Sequence, residues 1–400
     1  MKAIAMKHQA RAMAGLSTVL QTIQIYNQQG SITGPPRFLC SPGARYQALL
    51  TALLLGVSSA WYDASAVSLA HLFGARSLFR AWLVDESLCS VNDEPVLLNR
   101  QQSFLVGAFV FLECLASFIH DQTFDALAHI RRFGALAEGQ TMYPNPWTGI
   151  STPLFVHLAE TAVIMRYKRS FAGFQPQARA EAYNEAYKSA ERLYKKTLLH
   201  TGAGREAMEE TKDPTTPLDH LIAMDDAYRL VILMELVQVF PELILDEFKS
   251  SSAAKTQALV QETVVDFAIA ILTVVSHLPQ NSGGNVMLPL PLIIAGSALQ
   301  APRPFEKRPA GTSASCAART SISAVMHSPR MLQKWREQTT FRLDRTYKHV
   351  GLAPLQFAEQ LVQEVWRRAD LVDSNGSETA VAAVHWMDTM IEERLETLFG

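Results

Sequence analysis

The stretch "MDDAYRLVILMEL" (224–236) sets two adjacent carboxylates, Asp225 and Asp226, at the head of an apolar run. Leu218, Ile222, Ile232 and Leu236 recur around it at three- and four-residue spacing, which places them on one face of a helix. Asp225 and Arg229 fall on that same face, four residues apart. The spacing therefore predicts a helix over 217–240, closed by Pro241, with an Asp225–Arg229 ion pair along its side.

The same periodicity extends in both directions. Helices are predicted over 3–28, 44–60, 64–83, 101–120, 152–168, 177–199 and 253–278, and again over 328–349, 353–369 and 379–398. Thr148 or Ser151 is placed to cap the helix at 152. In "LPLPLIIAGSALQ" (288–300) the prolines start a further helix, with Pro291 in its first turn, and the small residues 295–298 admit a close neighbour. Gly74 is expected to allow close packing in the same way. No run alternates as a strand does. The expectation is an all-α protein of stacked helical hairpins forming one large domain over 1–400. A polar linker lies near 200–216 and a mobile Pro/Gly/Ser-rich loop near 301–322.

The composition narrows the function. Hydrophobic residues make up 48% and charged residues 18%, enough apolar material for a sizeable core. The formal net charge of −2 lacks the basic excess of a nucleic-acid binder, so no direct nucleic-acid binding is expected. The cysteines, Cys40, Cys89, Cys114 and Cys316, include no CxxC pair, which suits a reducing compartment, nucleus or cytoplasm. The N-terminus lacks the apolar core of a signal peptide. The apolar runs at 104–119 and 267–279 are short for a bilayer span, so no membrane role is expected. Motifs for serine hydrolases, P-loop nucleotide binding, dinucleotide binding and HExxH zinc sites are absent.

Seven stretches, in order, resemble a known family: "LAHLFGARSLF" (69–79), "FLVGAFVFLECLASF" (104–118), "NPWTGIS" (145–151), "DDAYRLVILMEL" (225–236), "LPLPLIIAGSAL" (288–299), "LVQEVWRRAD" (361–370) and "HWMDTMIEERLETLFG" (385–400). Together they resemble the fungal-specific transcription factor domain, the regulatory part of fungal zinc binuclear-cluster activators. The resemblance implies a transcriptional regulator that binds a protein partner, such as a DNA-binding activator, or a small apolar metabolite, in control of a secondary-metabolite pathway. Relatives in that family carry a six-cysteine zinc cluster that reads DNA. Four cysteines 25 to 202 residues apart do not supply one. A second resemblance is to the non-canonical fungal humulene synthases. It implies a magnesium-dependent cyclase acting on farnesyl diphosphate, with Glu113, Asp225 and Asp226 as metal ligands and an arginine as diphosphate clamp.

Two clusters could carry chemistry. Asp225 and Asp226 form one, with Arg229 as internal counterion or, in the alternative, with a divalent cation. Glu113, Ser117, His120 and Asp121 form the other; the first three share a helix face. Glu113 lies inside an apolar helix and needs a partner there. Either it pairs with an arginine of a neighbouring helix, or the cluster floors a ligand pocket. Arg76 is expected to pair with a core carboxylate, and Arg330 and Lys334 to lie at the surface. No cofactor is expected under the regulatory reading; magnesium belongs to the alternative. Trp335, Trp366 and Trp386 are expected to anchor the core.

Overall fold

The computed structural model describes residues 7, 9–18, 42–61, 64, 69–89, 94–245, 253–300, 328–374 and 383–399. Most of the helix expected over 3–28 and the loop expected near 301–322 lie outside the described residues. Residues 9–18 are helical. The main helices are α1 (Pro42–Ser58), α2 (Leu69–Asp85), α3 (Arg100–Ile119), α4 (Thr152–Ser170), α5 (Pro176–Leu198), α6 (Leu218–Val239), α7 (Ala253–Ser276), α8 (Pro289–Ser297), α9 (Pro329–Val350), α10 (Pro354–Ser374) and α11 (Trp386–Glu392). Among the described residues there is no β-strand, only two isolated bridges, Met142 with Met208 and Asn145 with Gly149. The all-α expectation holds.

Consecutive helices pack as pairs: α1 on α2, α3 on α4, α4 on α5, α6 on α7 and α9 on α10. α4 bridges the pairs by also meeting α6, and α8 joins the C-terminal helices to α6 and α7. The local chemistry sets these elements. Asn99 and Gln102 form a reciprocal capping box at the start of α3, each backbone N–H donating to the other's side-chain oxygen at 3.0 Å. Ser151 takes the N-cap position of α4 but its hydroxyl makes no capping bond; Pro153 instead pre-sets the first turn. α5 buries a stripe of Ala182, Ala186, Ala190, Leu193 and Thr197 and leaves its charged side to solvent. α9 stops at Gly351, whose φ of +73° lets the chain turn into the left-handed region.

One apolar core runs through most of the fold. Phe79 of α2 and Phe109 of α3 stack at its centre, 3.9 Å between ring centroids. Trp386 is buried against Phe118, and Trp366 donates its indole N–H to the Gly296 carbonyl at 2.8 Å. Trp335 is only partly buried. The small residues of α8 act as expected: a Cβ on Gly296 would stand 2.6 Å from Thr339 Cγ2 of α9. Gly74 does not, since a Cβ there would meet open space. Close approach at the α3–α4 side falls instead on Gly107, against Asn145 and Thr152.

Two expectations about segments change in the fold. The polar stretch 200–216 folds back on the body: Met142 donates to the Ala207 carbonyl (2.8 Å) and Glu209 to the Met142 carbonyl (3.0 Å). The apolar runs at 104–119 and 267–279 belong to longer helices. Arg100–Ile119 and Gln257–Ser276 are each 20 residues and apolar enough, on length and composition, to cross a bilayer. α3 is mostly buried within the fold, where its length serves packing.

Candidate functional site

Glu113 is fully buried on α3 and meets Arg76 of α2 in a two-pronged ion pair, Nε to Oε1 at 2.5 Å and a terminal nitrogen to Oε2 at 2.6 Å. The arginine also donates to Gln122 Oε1, and Gln122 donates to the Ser117 hydroxyl at 3.2 Å. Ser117 in turn donates to the Glu113 carbonyl, 2.7 Å away. His129 lies 3.5 Å from Glu113 Oε1. Burial pushes the Glu113 carboxyl up, but His129 and Arg76 outweigh it and hold the group below the usual carboxylate range. The expected pairing of Arg76 with a core carboxylate is therefore Arg76–Glu113. His120 and Asp121 stand outside this network's bonds: His120 sets its ring edge-on to Phe73 at 5.3 Å, and exposed Asp121 bonds Arg166 at 2.6 Å.

The acidic doublet of α6 divides in a way the spacing did not predict. Asp225 is buried and faces His200, which follows the end of α5, with Nε2 3.1 Å from Oδ2. Arg229 reaches Asp226 instead, three residues back, at 3.8 Å. The Asp225–Arg229 pair is thus replaced by two separate contacts. The physical reason is which side of α6 is covered. Asp225 points under the chain that leaves α5, while Asp226 and the long Arg229 side chain stay toward solvent. Only an element distant in sequence could have revealed His200 as the partner.

A third acidic position was missed from the sequence. Glu235, fully buried on α6, accepts from the Trp386 indole N–H (2.7 Å) and lies 3.2 Å from His385 Nε2. His385 Nδ1 accepts from the Met387 backbone N–H at 3.1 Å, which leaves Nε2 as the nitrogen that donates to Glu235. The signal was present: Glu235 is the one charged residue in the run 230–240, as Glu113 is in 104–119.

Glu113, Asp225 and Asp226 do not make a shared metal site. Each faces a different cation or histidine, and Asp226 is exposed. Among the described residues, no group of three or more His, Cys, Asp or Glu side chains is placed to hold a metal ion. The magnesium ligand set suggested by the synthase resemblance does not fit this arrangement.

The spaces in the fold differ in kind. Two recesses with apolar walls are small: about 10 Å3 beside Leu272, Leu292 and Trp335, and about 50 Å3 beside Val106 and Phe133. Ligand pockets for drug-sized molecules usually hold about 300–1,000 Å3. Between α9 and α10 an open groove of about 680 Å3 runs along the surface. Phe341, half-exposed, and Trp366 supply its apolar floor. Glu337, Glu359, Asp344 and Asp370 edge it, with Arg336 and Arg367. Arg336 is held by Asp370 at 2.8 Å and Arg367 by Glu364 at 2.6 Å, while Asp344 takes Lys348. Among the described residues Glu337 and Glu359 bond only Gln333 and Gln363, and neither meets a cation there.

The fold is an all-α body of paired helices, with charged pairs buried in its core and an open groove between α9 and α10. The chain belongs to the fungal specific transcription factor domain family, whose sequence model matches residues 1–400. Its role is regulatory, in transcription. No curated protein and no solved structure matches the chain.

Proposed function

We propose that this chain regulates transcription in the nucleus by docking an amphipathic helix of a protein partner in the α9/α10 groove. The observation that carries this reading is the groove itself: an open groove of about 680 Å3 with a half-exposed Phe341 in it and two carboxylates on its edges, Glu337 and Glu359, that meet no cation among the described residues. A helix laid in a groove is recognised by apolar anchors at i, i+3, i+4 and i+7. The rim selects a partner whose anchors are flanked by Lys or Arg, as charge complementarity governs register and partner choice. Control of a secondary-metabolite pathway would lie in the identity of that partner.

The sensing of an apolar metabolite is the weaker reading, because the apolar-walled recesses beside Trp335 and Val106 are far smaller than such a ligand. Cyclase chemistry is weaker again, since its carboxylates are committed separately.

The test is to fuse residues 1–400 to a heterologous DNA-binding module and place its operator before a reporter gene in a fungal host. The expected result is a several-fold change in reporter expression relative to the DNA-binding module alone. Equal expression from the two would contradict the proposal.

A further inference from the structure

A second recess lies further along α9, toward its C-terminal end. It holds about 240 Å3 between the loop that follows α7 and the last turns of α9. Gln280, Asn285, Arg342, Arg345, Thr346, Lys348 and His349 line it. Arg342, Arg345 and Lys348 bring three positive charges to one small concavity.

Their counter-charges fall short. Lys348 has Asp344 at 2.7 Å. Arg342 donates through a single terminal nitrogen to the Ser276 and Leu278 carbonyls at the end of α7, 2.9 and 3.0 Å away. Arg345 donates to Gln280 Oε1. Neither arginine meets a carboxylate among the described residues. The C-terminal ends of α7 and α9 each contribute about half a negative charge. With Asp344 that makes about two negative charges against three fixed positive ones. Burial also lowers the Arg342 pKa.

A second observation, independent of charge, comes from Asn285. Its side chain is more than nine-tenths buried and lines the recess. Its amide nitrogen is used, donating to the Pro279 and Gln280 carbonyls at 3.0 and 2.9 Å. Its Oδ1 is buried without any donor. A buried acceptor left unmade costs about 1–3 kcal/mol in general.

From these two features we infer that the recess binds a small phosphorylated metabolite carrying a free hydroxyl. The phosphate would sit among Arg342, Arg345 and Lys348, whose forked and pointed donors suit phosphate oxygens. The hydroxyl would donate to Asn285 Oδ1 once that side chain turns toward the recess, since the atom is covered as it lies. The volume is below the usual range for drug-sized ligands, which restricts the occupant to a few carbons beyond the phosphate. This site meets the α9/α10 groove at the Lys348–Asp344 pair but does not depend on the docking proposal.

The experiment is isothermal titration of the purified full chain with sn-glycerol 3-phosphate, inorganic phosphate and glycerol. Saturable binding of glycerol 3-phosphate, tighter than inorganic phosphate, with none for glycerol, is the expected pattern. Arg345→Gln and Lys348→Gln should each weaken glycerol 3-phosphate about 10-fold, the effect of one charge-assisted hydrogen bond. Arg330→Gln, exposed at the far end of α9, should leave binding unchanged. Arg345 and Lys348 are partly exposed or exposed, so both variants should fold, with circular dichroism as the check. No saturable binding, or wild-type affinity in a folded Arg345→Gln/Lys348→Gln double variant, overturns the site. Equal affinity for phosphate and glycerol 3-phosphate overturns the role given to Asn285.

Discussion

Glu113 of α3 and Arg76 of α2 form a two-pronged ion pair, 2.5 and 2.6 Å, with the carboxylate wholly out of water. This pair is buried deeper than either contact of the acidic doublet of α6. It fixes how α2 lies on α3, beside the Phe79–Phe109 stack. Removing one partner and removing both should therefore have very different effects. Arg76→Ala should cost about 3–5 kcal/mol, because it strands a buried carboxylate. Arg76→Met with Glu113→Leu should recover most of that loss. Urea denaturation of both variants checks the prediction; equal destabilisation would refute it.

Glu235 predicts a similar dependence at the other end of the core. Trp386→Phe keeps the ring against Phe118 but removes the 2.7 Å bond to Glu235. A loss of about 1–3 kcal/mol is expected, the cost of a buried hydrogen bond to a charged group. Glu235→Leu combined with Trp386→Phe should cost less than the sum of the two single changes, measured as a double-mutant cycle.

His157 gives the protein an acid-sensitive core. It is buried on α4, with Nε2 3.0 Å from the Gly134 carbonyl and the Thr197 hydroxyl 3.2 Å from Nδ1. Burial, followed by the charges of Lys196 and His200, pushes its pKa down from 6.5 to about 3. A histidine whose folded pKa is depressed supports the fold above its unfolded value. That support is lost as pH falls from 6.5 toward 3, with a slope of at most about 1.4 kcal/mol per unit. Glu113 adds a loss of the same sign below its ordinary 4.5. Stability measured at pH 7 and pH 5 should fall for the wild type and fall less for His157→Gln. An identical decrease in both would contradict the assignment.

Two glycines separate sequence inference from structure. Gly296→Ala should cost about 1–3 kcal/mol by forcing Thr339 aside. Gly74→Ala, facing open space inside a helix, should raise stability by about 0.5–1 kcal/mol. Thermal melts of the two variants should move in opposite directions.

The helical class and most helix limits were legible because apolar spacing of three and four is set locally. Arg76–Glu113 was legible in part: a carboxylate inside "FLVGAFVFLECLASF" demands a cation, and few arginines lie in buried helices. The partner of Asp225 was not, because His200 sits 25 residues away and only the packing of α5 on α6 brings it near. Arg229 was the nearest cation in sequence, and local spacing favoured it. The α9/α10 groove was invisible for another reason. A groove is defined by what two helices leave uncovered, and no periodicity within either helix states that.

The most direct measurement is the reporter response of the DNA-tethered chain carrying Phe341→Asp, Glu337→Lys and Glu359→Lys together. Glu337 and Phe341 are exposed and Glu359 is partly exposed, so the variant should retain the wild-type helical spectrum and melting temperature within a few degrees. The account predicts that the reporter returns to the level of the DNA-binding module alone. A folded variant that still drives the wild-type response would contradict the claim that the groove is where this regulator takes its partner.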